Sequence, residues 1–222
     1  MLGNFPTQAE DALFSLAWLE AAASRKAIEG GGRCIAGLDV AGPGEDETSL
    51  WVREGPSILL HRHWTMAEPR GEVVAALRPY LNRLDTVNVD SAGIGYYMAQ
   101  HLRDQGFPVQ EVNAGEAARD AEKFLNRKAE MYWAARERVQ KGEVNGLDDE
   151  RTIGQLAGIK YKLDGRGRVV IESKEDARKR GVKSPDRAEG FILTFAPGKP
   201  TVRDDQKANV DRYRRTLGRA KA

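Results

Sequence analysis

Four acidic residues stand at positions where a carboxylate could do chemistry. Asp39 lies inside an apolar strand segment, where burying an unpaired charge is expensive. Asp90 ends a second apolar segment, and ligands commonly bind at the carboxyl ends of strands in open sheets. Asp186 falls in the first turn of the last predicted helix, which suits an anion, and Glu189 follows on nearly the same helix face.

Together these acids match what phosphodiester hydrolysis with two divalent cations requires. Two strand aspartates are expected to be neighbours, and a third acid opens a helix that can dock beside them. Shared carboxylate oxygens hold two hard cations about 4 Å apart, one activating water and the other stabilising the leaving oxygen. Mg²⁺ and Mn²⁺ suit such ligands equally well. Each aspartate taken singly also fits a structural role, as an edge-strand acid (Asp39), a turn or cap residue (Asp90) or a helix start (Asp186).

Other kinds of site find little support in the sequence. The one cysteine, Cys34, excludes an intrachain disulfide and cysteine-rich zinc sites, and three histidines argue against a His-rich metal site. His61 and His63 alternate along a strand, a pattern more typical of an outer face than of a metal pair. The glycine-rich segment 42–47 lacks the Gly-Lys-Ser/Thr ending of a P-loop. It is interpreted as a turn whose acids, Glu45, Asp46 and Glu47, are solvated.

Composition indicates a soluble globular protein. Of 222 residues, 41% are hydrophobic and 31% charged, and no run approaches the roughly 20 apolar residues of a membrane span. The opening residues lack the features of a secretory signal. Net charge is +2, but basic residues concentrate from Lys199 onward, which suits a polyanionic partner and equally a solvated chain end.

The elements that must position the acids follow from periodicity and turn signals. Three strands joined by short connectors indicate antiparallel hairpins, and the later strands, which alternate with helices, indicate parallel pairing. The fold class is therefore α/β, a mixed sheet of three antiparallel strands followed by parallel strands, flanked by helices. The predicted strands are 34–40, 48–53, 58–64, 86–89 and 108–112, and the predicted helices between them are 68–83 and 95–105.

The second half is predicted to add helices and a hairpin. A long helix covers 121–141, and Asp148 caps another that ends at 157. Strands 160–163 and 168–171 flank a turn signal and form an added β-hairpin. Ser184 caps the last helix, with Pro185 as its first residue. The predicted division is 1–32 as an N-terminal helix and linker, 33–197 as the main domain and 198–222 as a basic tail.

Five segments, taken in order, resemble motifs of one protein family. They are GLDVAGPGED (37–46), VDSAGIG (89–95), FLNRKAEMYW (124–133), IESKEDAR (171–178) and KSPDRAE (183–189). Each is weakly specific alone, but the ordered set is similar to the C-terminal nuclease domain of tailed-bacteriophage terminase large subunits. The resemblance implies a ribonuclease H-like fold. It also implies metal-dependent endonuclease cleavage of double-stranded, concatemeric viral DNA, with little sequence specificity, during genome packaging.

Carried over by position, the resemblance implies that Asp39, Asp90 and Asp186 are catalytic and bind Mg²⁺ or Mn²⁺, with two ions expected. Two departures from the family pattern occur. Glu189 replaces a common aspartate and ranks fourth as a ligand, reaching a metal directly or through water. Lys183 stands where some relatives carry a histidine, and it is suited to contact phosphate.

The family also implies partners and a setting. We expect double-stranded DNA, the portal protein, the small terminase subunit and an ATPase domain of the same polypeptide, with no membrane. The Walker motifs of the ATPase half are absent, so this chain alone is not expected to translocate DNA. Residues 1–32 resemble the end of that half and are expected to be a helix and linker from it. The isolated domain is expected to be a monomer in the host cell cytoplasm.

Basic residues around the hairpin and before the last helix are candidates for phosphate contacts, because a packaging nuclease must cut many sequences. A solvated-loop interpretation fits each of them about as well. The candidates are Lys160, Lys162, Arg166, Arg168, Lys174 and Lys183.

Two other kinds of function fit the same residues. A junction resolvase or a ribonuclease H would use the same acids on another substrate, the first as a stable dimer and the second on the RNA strand of a hybrid. A non-catalytic module that docks on DNA or the portal would keep the carboxylates without using them.

Overall fold

The computed structural model describes residues 11–28, 30–44, 46–65 and 69–197. Along the chain, the strands are β1 (Cys34–Asp39), β2 (Thr48–Glu54), β3 (Ser57–Trp64), β4 (Leu84–Asp90), β5 (Val109–Val112), β6 (Tyr161–Leu163) and β7 (Val169–Ile171). The helices are α1 (Leu16–Ser24), α2 (Arg70–Leu77), α3 (Ile94–Asp104), α4 (Arg127–Gln140), α5 (Glu150–Ala157), α6 (Lys174–Lys179) and α7 (Asp186–Leu193), with a 3₁₀ turn at Arg78–Tyr80.

Five strands form a mixed sheet in the order β3-β2-β1-β4-β5. β1 pairs antiparallel with β2, which pairs antiparallel with β3, whereas β4 is parallel to both β1 and β5. This confirms the predicted class of fold. The register sets Leu38 of β1 opposite Val89 of β4, so the two strands end side by side at Asp39 and Asp90.

A hydrophobic core lies on each face of the sheet. On one face α2 and α3 cover an apolar cluster that includes Leu38, Val89 and Met98. On the other face α1, α4, α5 and α7 pack around a cluster that includes Trp51 and Phe191. None of the described helices is long and apolar enough to cross a membrane.

α7 lies unusually close to the sheet because two glycines face each other across the interface. A side-chain carbon at Gly37 of β1 would clash with the backbone oxygen of Gly190. One at Gly190 would lie 2.5 Å from Ser49 Oγ and 2.7 Å from its backbone oxygen, well inside van der Waals contact. The glycines thus let α7 bring its first turn to the end of β1.

The second half follows the prediction with local differences. α4 begins at Arg127 rather than near 121, because the Asn126 side chain accepts the Ala129 N–H at 3.0 Å and caps the helix there. The N-cap of α5 is Asp149 and not the predicted Asp148. α7 begins at Asp186, with Pro185 and not Ser184 in the cap position.

One helix was not predicted. The Ser173 hydroxyl accepts the Asp176 N–H at 3.0 Å and starts α6, a short helix that follows the β6–β7 hairpin. Three other predictions fall wholly or partly outside the described residues, namely the N-terminal helix and linker of 1–32, of which α1 is the described helix, the start of the predicted helix 68–83, and the tail 198–222.

Candidate metal centre

Three carboxylates meet where β1 ends and α7 begins. Asp39, Asp186 and Glu189 each offer one oxygen, and these oxygens all lie within 4.8 Å of one another. Asp39 is the last residue of β1, while Asp186 and Glu189 lie in the first turn of α7. The strand end and the helix start are held together by the glycine contact, so the fold brings these acids together.

Asp90 lies beside this group but is not one of its three members. It ends β4, the parallel neighbour of β1, and its charge raises the pKa of Asp39. Its Oδ1 accepts the Ala92 N–H at 3.1 Å, which closes a turn before α3. The structure therefore gives Asp90 a turn-forming contact as well as a place next to the cluster, and it gives Glu189, the fourth-ranked acid, a place inside it.

The cluster is electrostatically costly without a bound metal cation, because the Lys174 charge offsets only part of the repulsion. Burial, reinforced by the negative charge of Glu189, raises the pKa of Asp39 well above its usual value. Burial also raises the pKa of Asp90 and of Asp186. Clustered carboxylates with raised pKa values gain most from a bound cation. An all-oxygen donor set of this kind fits Mg²⁺ or Mn²⁺.

Two side chains from other elements hold Glu189 in place. The Tyr132 hydroxyl of α4 donates to Oε1 at 3.2 Å, and the Lys174 ammonium of α6 donates to Oε2 at 2.6 Å. Burial, with the charge of Glu189, raises the pKa of Tyr132 well above 10, so its hydroxyl stays protonated as a donor. Burial opposes the charged form of Lys174, but the attraction of Glu189 outweighs it and the pKa is raised.

Asp186 is supported by a buried ion-pair network. Its Oδ2 accepts the backbone N–H of Glu47 at 3.0 Å. The Glu47 carboxylate accepts two bonds from Arg187, at 2.8 and 3.1 Å, and Arg187 also donates to Asp149 at 2.9 Å. The expectation that Glu47 is solvated is therefore wrong, since only 7% of the residue is exposed. Asp46 is exposed as expected, and Glu45 lies outside the described residues.

The six residues predicted to contact DNA fall into two groups, those that form an ion pair within the chain and those that are exposed. Three of them form ion pairs within the chain, which are Lys160 with Asp11, Arg168 with Asp164 and Lys174 with Glu189. Lys162 and Arg166 lie exposed on the hairpin, and Lys183 lies exposed three residues before α7. Of the six, only Lys174 directly contacts a carboxylate of the cluster.

A pH-dependent cost of folding is expected for the metal-free protein. An unfolded Asp39 ionises near 3.8, whereas the folded one holds its proton to higher pH. As pH rises between these two values the unfolded chain loses the proton first, so stability falls. Asp39→Asn removes this cost. In EDTA, the Tm of the variant minus that of the wild type should be smallest near pH 4 and should grow as pH rises. A difference that does not change with pH would contradict the raised pKa.

No family model matches the chain, and no curated protein matches it by sequence. Solved structures do. A mutant nuclease domain of the large terminase subunit of bacteriophage Sf6, solved with calcium, superposes with a TM-score of 0.70 at 16% identity, over 84% of this chain and 100% of that one. The large terminase nuclease of thermophilic phage G20c with bound magnesium gives 0.60 at 16% identity, over 86% and 100%.

The large terminase of bacteriophage HK97 gives a TM-score of 0.60 at 13% identity. The match covers 83% of this chain and 43% of that one. At these identities the likeness shows the fold, which is the ribonuclease H-like fold of phage terminase nuclease domains. The sequence motifs resemble the same family.

Proposed function

We propose that the chain is a metal-dependent endonuclease that cleaves double-stranded DNA with little sequence specificity during the packaging of a viral genome. The observation that carries this proposal is the group of Asp39, Asp186 and Glu189 oxygens within 4.8 Å of one another. Its setting, the fold of phage terminase nuclease domains, points to phosphodiester hydrolysis rather than to another use of clustered acids.

Asp39, Asp186 and Glu189 would hold the metal ions, with Asp90 completing the site from the adjacent strand. Structures of the similar Sf6 and G20c domains were solved with manganese and with magnesium, respectively. Two Mg²⁺ or Mn²⁺ ions, when bound, supply activation of the attacking water and stabilisation of the leaving oxygen. The positive charge of a bound cation would stabilise the ionised form of these buried acids, which is the form that binds metal.

The protein's own part is to fix these oxygens before DNA arrives. Tyr132 and Lys174 each donate to one oxygen of Glu189, so both oxygens of its longer side chain are held in place. The Glu47 amide orients Asp186, and Arg187 locks Glu47 in turn. Lys174 is also the cation placed to meet a phosphate at the cluster, since its side chain is 49% exposed.

We place the DNA backbone along the β6–β7 hairpin and the segment before α7, with Lys162, Arg166 and Lys183 as phosphate contacts. Lys160 and Arg168 instead stabilise the hairpin, through their ion pairs with Asp11 and Asp164. Phosphate contacts carry no sequence information, which suits an enzyme that must cut many sequences.

Removing two hairpin charges should weaken DNA binding without harming the metal centre. Lys162→Ala with Arg166→Ala is expected to reduce the slope of log affinity against log salt by about 2, since each phosphate contact contributes about 0.9. Fluorescence anisotropy with a DNA duplex at several salt concentrations, in Ca²⁺, measures this slope. Lys141→Ala, at the far end of α4, is the control that should leave the slope unchanged. Equal slopes for the double variant and the wild type would show that Lys162 and Arg166 of the hairpin do not contact DNA phosphates.

The packaging context adds a set of partners. We propose that residues 1–32 connect the nuclease domain (33–197) to an ATPase domain of the same polypeptide, and that 198–222 form a basic tail. The assembled motor would include the portal protein and the small terminase subunit, and it would act in the host cell cytoplasm. The isolated domain would be a monomer.

Plasmid cleavage tests the function directly. Supercoiled DNA incubated with the wild type should be nicked and linearised in Mg²⁺ or Mn²⁺ and left intact in EDTA, and Asp90→Asn should be inactive. Tight DNA binding that needs no metal, with no cutting under any condition, would favour a docking module. Cutting confined to four-way junctions, or to the RNA strand of a hybrid, would favour a resolvase or a ribonuclease H.

A further inference from the structure

A second group of metal-ligand side chains lies on the outer strand of the sheet, apart from the carboxylate cluster. His61 and His63 alternate on β3 and so point to the same face, and they are partly buried there rather than open to solvent. Their donor atoms and one from Asp149, the N-cap of α5, all lie within 4.8 Å of one another. The loop before α5 thus brings a carboxylate to a histidine pair from a strand more than 80 residues earlier.

The spacing of the two rings is that of ligands on one ion. His61 Nδ1 and His63 Nε2 lie 3.3 Å apart. Two imidazole nitrogens at about 2.0–2.1 Å from a tetrahedral Zn²⁺ are separated by about 3.3–3.4 Å. The rings are therefore already placed to share a cation through these two atoms.

The surroundings of His61 are those of a metal ligand. Its other ring nitrogen, Nε2, lies 3.2 Å from Asp148 Oδ1, and a carboxylate in this position fixes the tautomer that leaves Nδ1 free to bind. The ring stacks on Trp51 with centroids 5.0 Å apart, which fixes its plane. Asp149 is fixed as well, because its Oδ2 accepts both the N–H and the hydroxyl of Thr152, at 2.8 and 2.6 Å.

We propose that His61, His63 and Asp149 form a site for a divalent transition metal such as Zn²⁺ or Co²⁺, with Asp148 as the outer carboxylate. Two nitrogen donors with one carboxylate select these ions over Mg²⁺, which the all-oxygen cluster prefers. The His61 side chain is 31% exposed, so an ion can enter and a water can complete the coordination. The proposal does not depend on nuclease activity.

The site is connected to the carboxylate cluster through one arginine. Asp149 Oδ1 accepts a bond from Arg187, and Arg187 holds Glu47, whose amide holds Asp186. A metal bound to Asp149 would therefore restrict the motion of Arg187 and, through Glu47, of Asp186. The two metal sites would share no ligand. This makes the site a structural one that braces the first turn of α7.

Cobalt absorption tests the proposal on the full chain. The experiment uses an Asp39→Asn, Glu189→Gln background, which weakens metal binding at the carboxylate cluster. Titration with Co²⁺ should produce the intense visible bands of a tetrahedral ion, with one equivalent bound. His61→Gln or His63→Gln should lower the Co²⁺ affinity by more than about 100-fold, and Asp148→Asn by about tenfold, the usual effect of losing an outer carboxylate.

The third histidine gives a matched control. His101 lies on α3 with no place in the group, so His101→Gln should leave the Co²⁺ titration unchanged. Asp148 is 72% exposed, so its replacement tests the site even if a histidine variant fails to fold. Absence of tetrahedral bands, or a Co²⁺ affinity that is unchanged in both His61→Gln and Asp148→Asn, would overturn the proposal and leave a simple hydrogen bond between the two rings.

Discussion

Asp39→Asn should lower the rate of metal-dependent DNA cleavage by at least about 1000-fold, or about 4 kcal/mol in the barrier. The amide keeps the shape of the side chain but removes the charge that draws a cation between β1 and α7. The neighbouring oxygens of Asp186 and Glu189 stay within reach, so the loss reports the missing charge rather than a changed backbone. Initial rates of plasmid nicking in Mn²⁺, at saturating metal and enzyme in excess, measure it.

Stability separates this effect from misfolding. Since burial and the charge of Glu189 raise the pKa of Asp39, the metal-free wild type loses stability as pH rises above 3.8, and at pH 7 the variant should melt at a higher temperature in EDTA. Added Mn²⁺ should raise the Tm of the wild type and have little effect on the variant. If the variant is inactive but more stable than the wild type, the Asp39 charge serves to bind metal. If it is inactive and less stable, Asp39 has a structural role instead.

Asp104→Asn is the control for removing an acid. Asp104 is exposed at the end of α3, and its replacement should leave both cleavage and the response to metal unchanged. If Asp39→Asn cleaved within tenfold of the wild type, Asp39 would not be a metal ligand, and the cluster would have to act through Asp90, Asp186 and Glu189.

The sheet and the meeting of its two strand ends could be predicted because both depend on local pattern. Apolar runs, short connectors and alternating helices predicted three antiparallel strands followed by parallel strands, and two parallel neighbours must end at the same edge. The place of Asp186 was also predictable, since Pro185 restricts where the helix can begin. Glu189 was harder to rank, because its reach depends on Tyr132 and Lys174, which hold its oxygens from other elements.

Features that depend on distant partners were not predictable from the sequence. Glu47 looks like a turn acid until Arg187, 140 residues later, pairs with it in the interior. The histidine pair looks like an outer face until the start of α5 covers it. Asp148 and Asp149 are equally good caps by residue type, and only the packing of α5 decides that Asp149 caps the helix while Asp148 faces His61.

Gly190→Ala should destabilise the protein by about 2 kcal/mol, because an overpacking cost of about 3 kcal/mol outweighs the about 1 kcal/mol that alanine gains as a helix former, and it should lower the Tm by about 4–8 °C. The added methyl would lie 2.5 Å from Ser49 Oγ and 2.7 Å from Ser49 O. The hydroxyl can rotate away, but the backbone oxygen is fixed in β2. Relief requires α7 to move off the sheet, and α7 carries Asp186 and Glu189. A shift of about 1 Å in such groups costs about 100-fold in rate, so cleavage should fall even at temperatures where the variant is folded.

Gly154→Ala is the matched control, since it makes the same change inside another eight-residue helix. Gly154 lies exposed on α5, and a methyl there meets no other atom within 4 Å. Alanine is the better helix former by about 1 kcal/mol, so this variant should be more stable than the wild type and equally active. The two substitutions share their intrinsic helix preference, so the difference between their stabilities, about 3 kcal/mol, isolates the contact of α7 with the sheet. Urea unfolding of both variants measures that difference. Equal stabilities would mean that α7 does not need the glycine to approach β2, and the position of Asp186 and Glu189 would then have to be set by the Glu47–Arg187 pair alone.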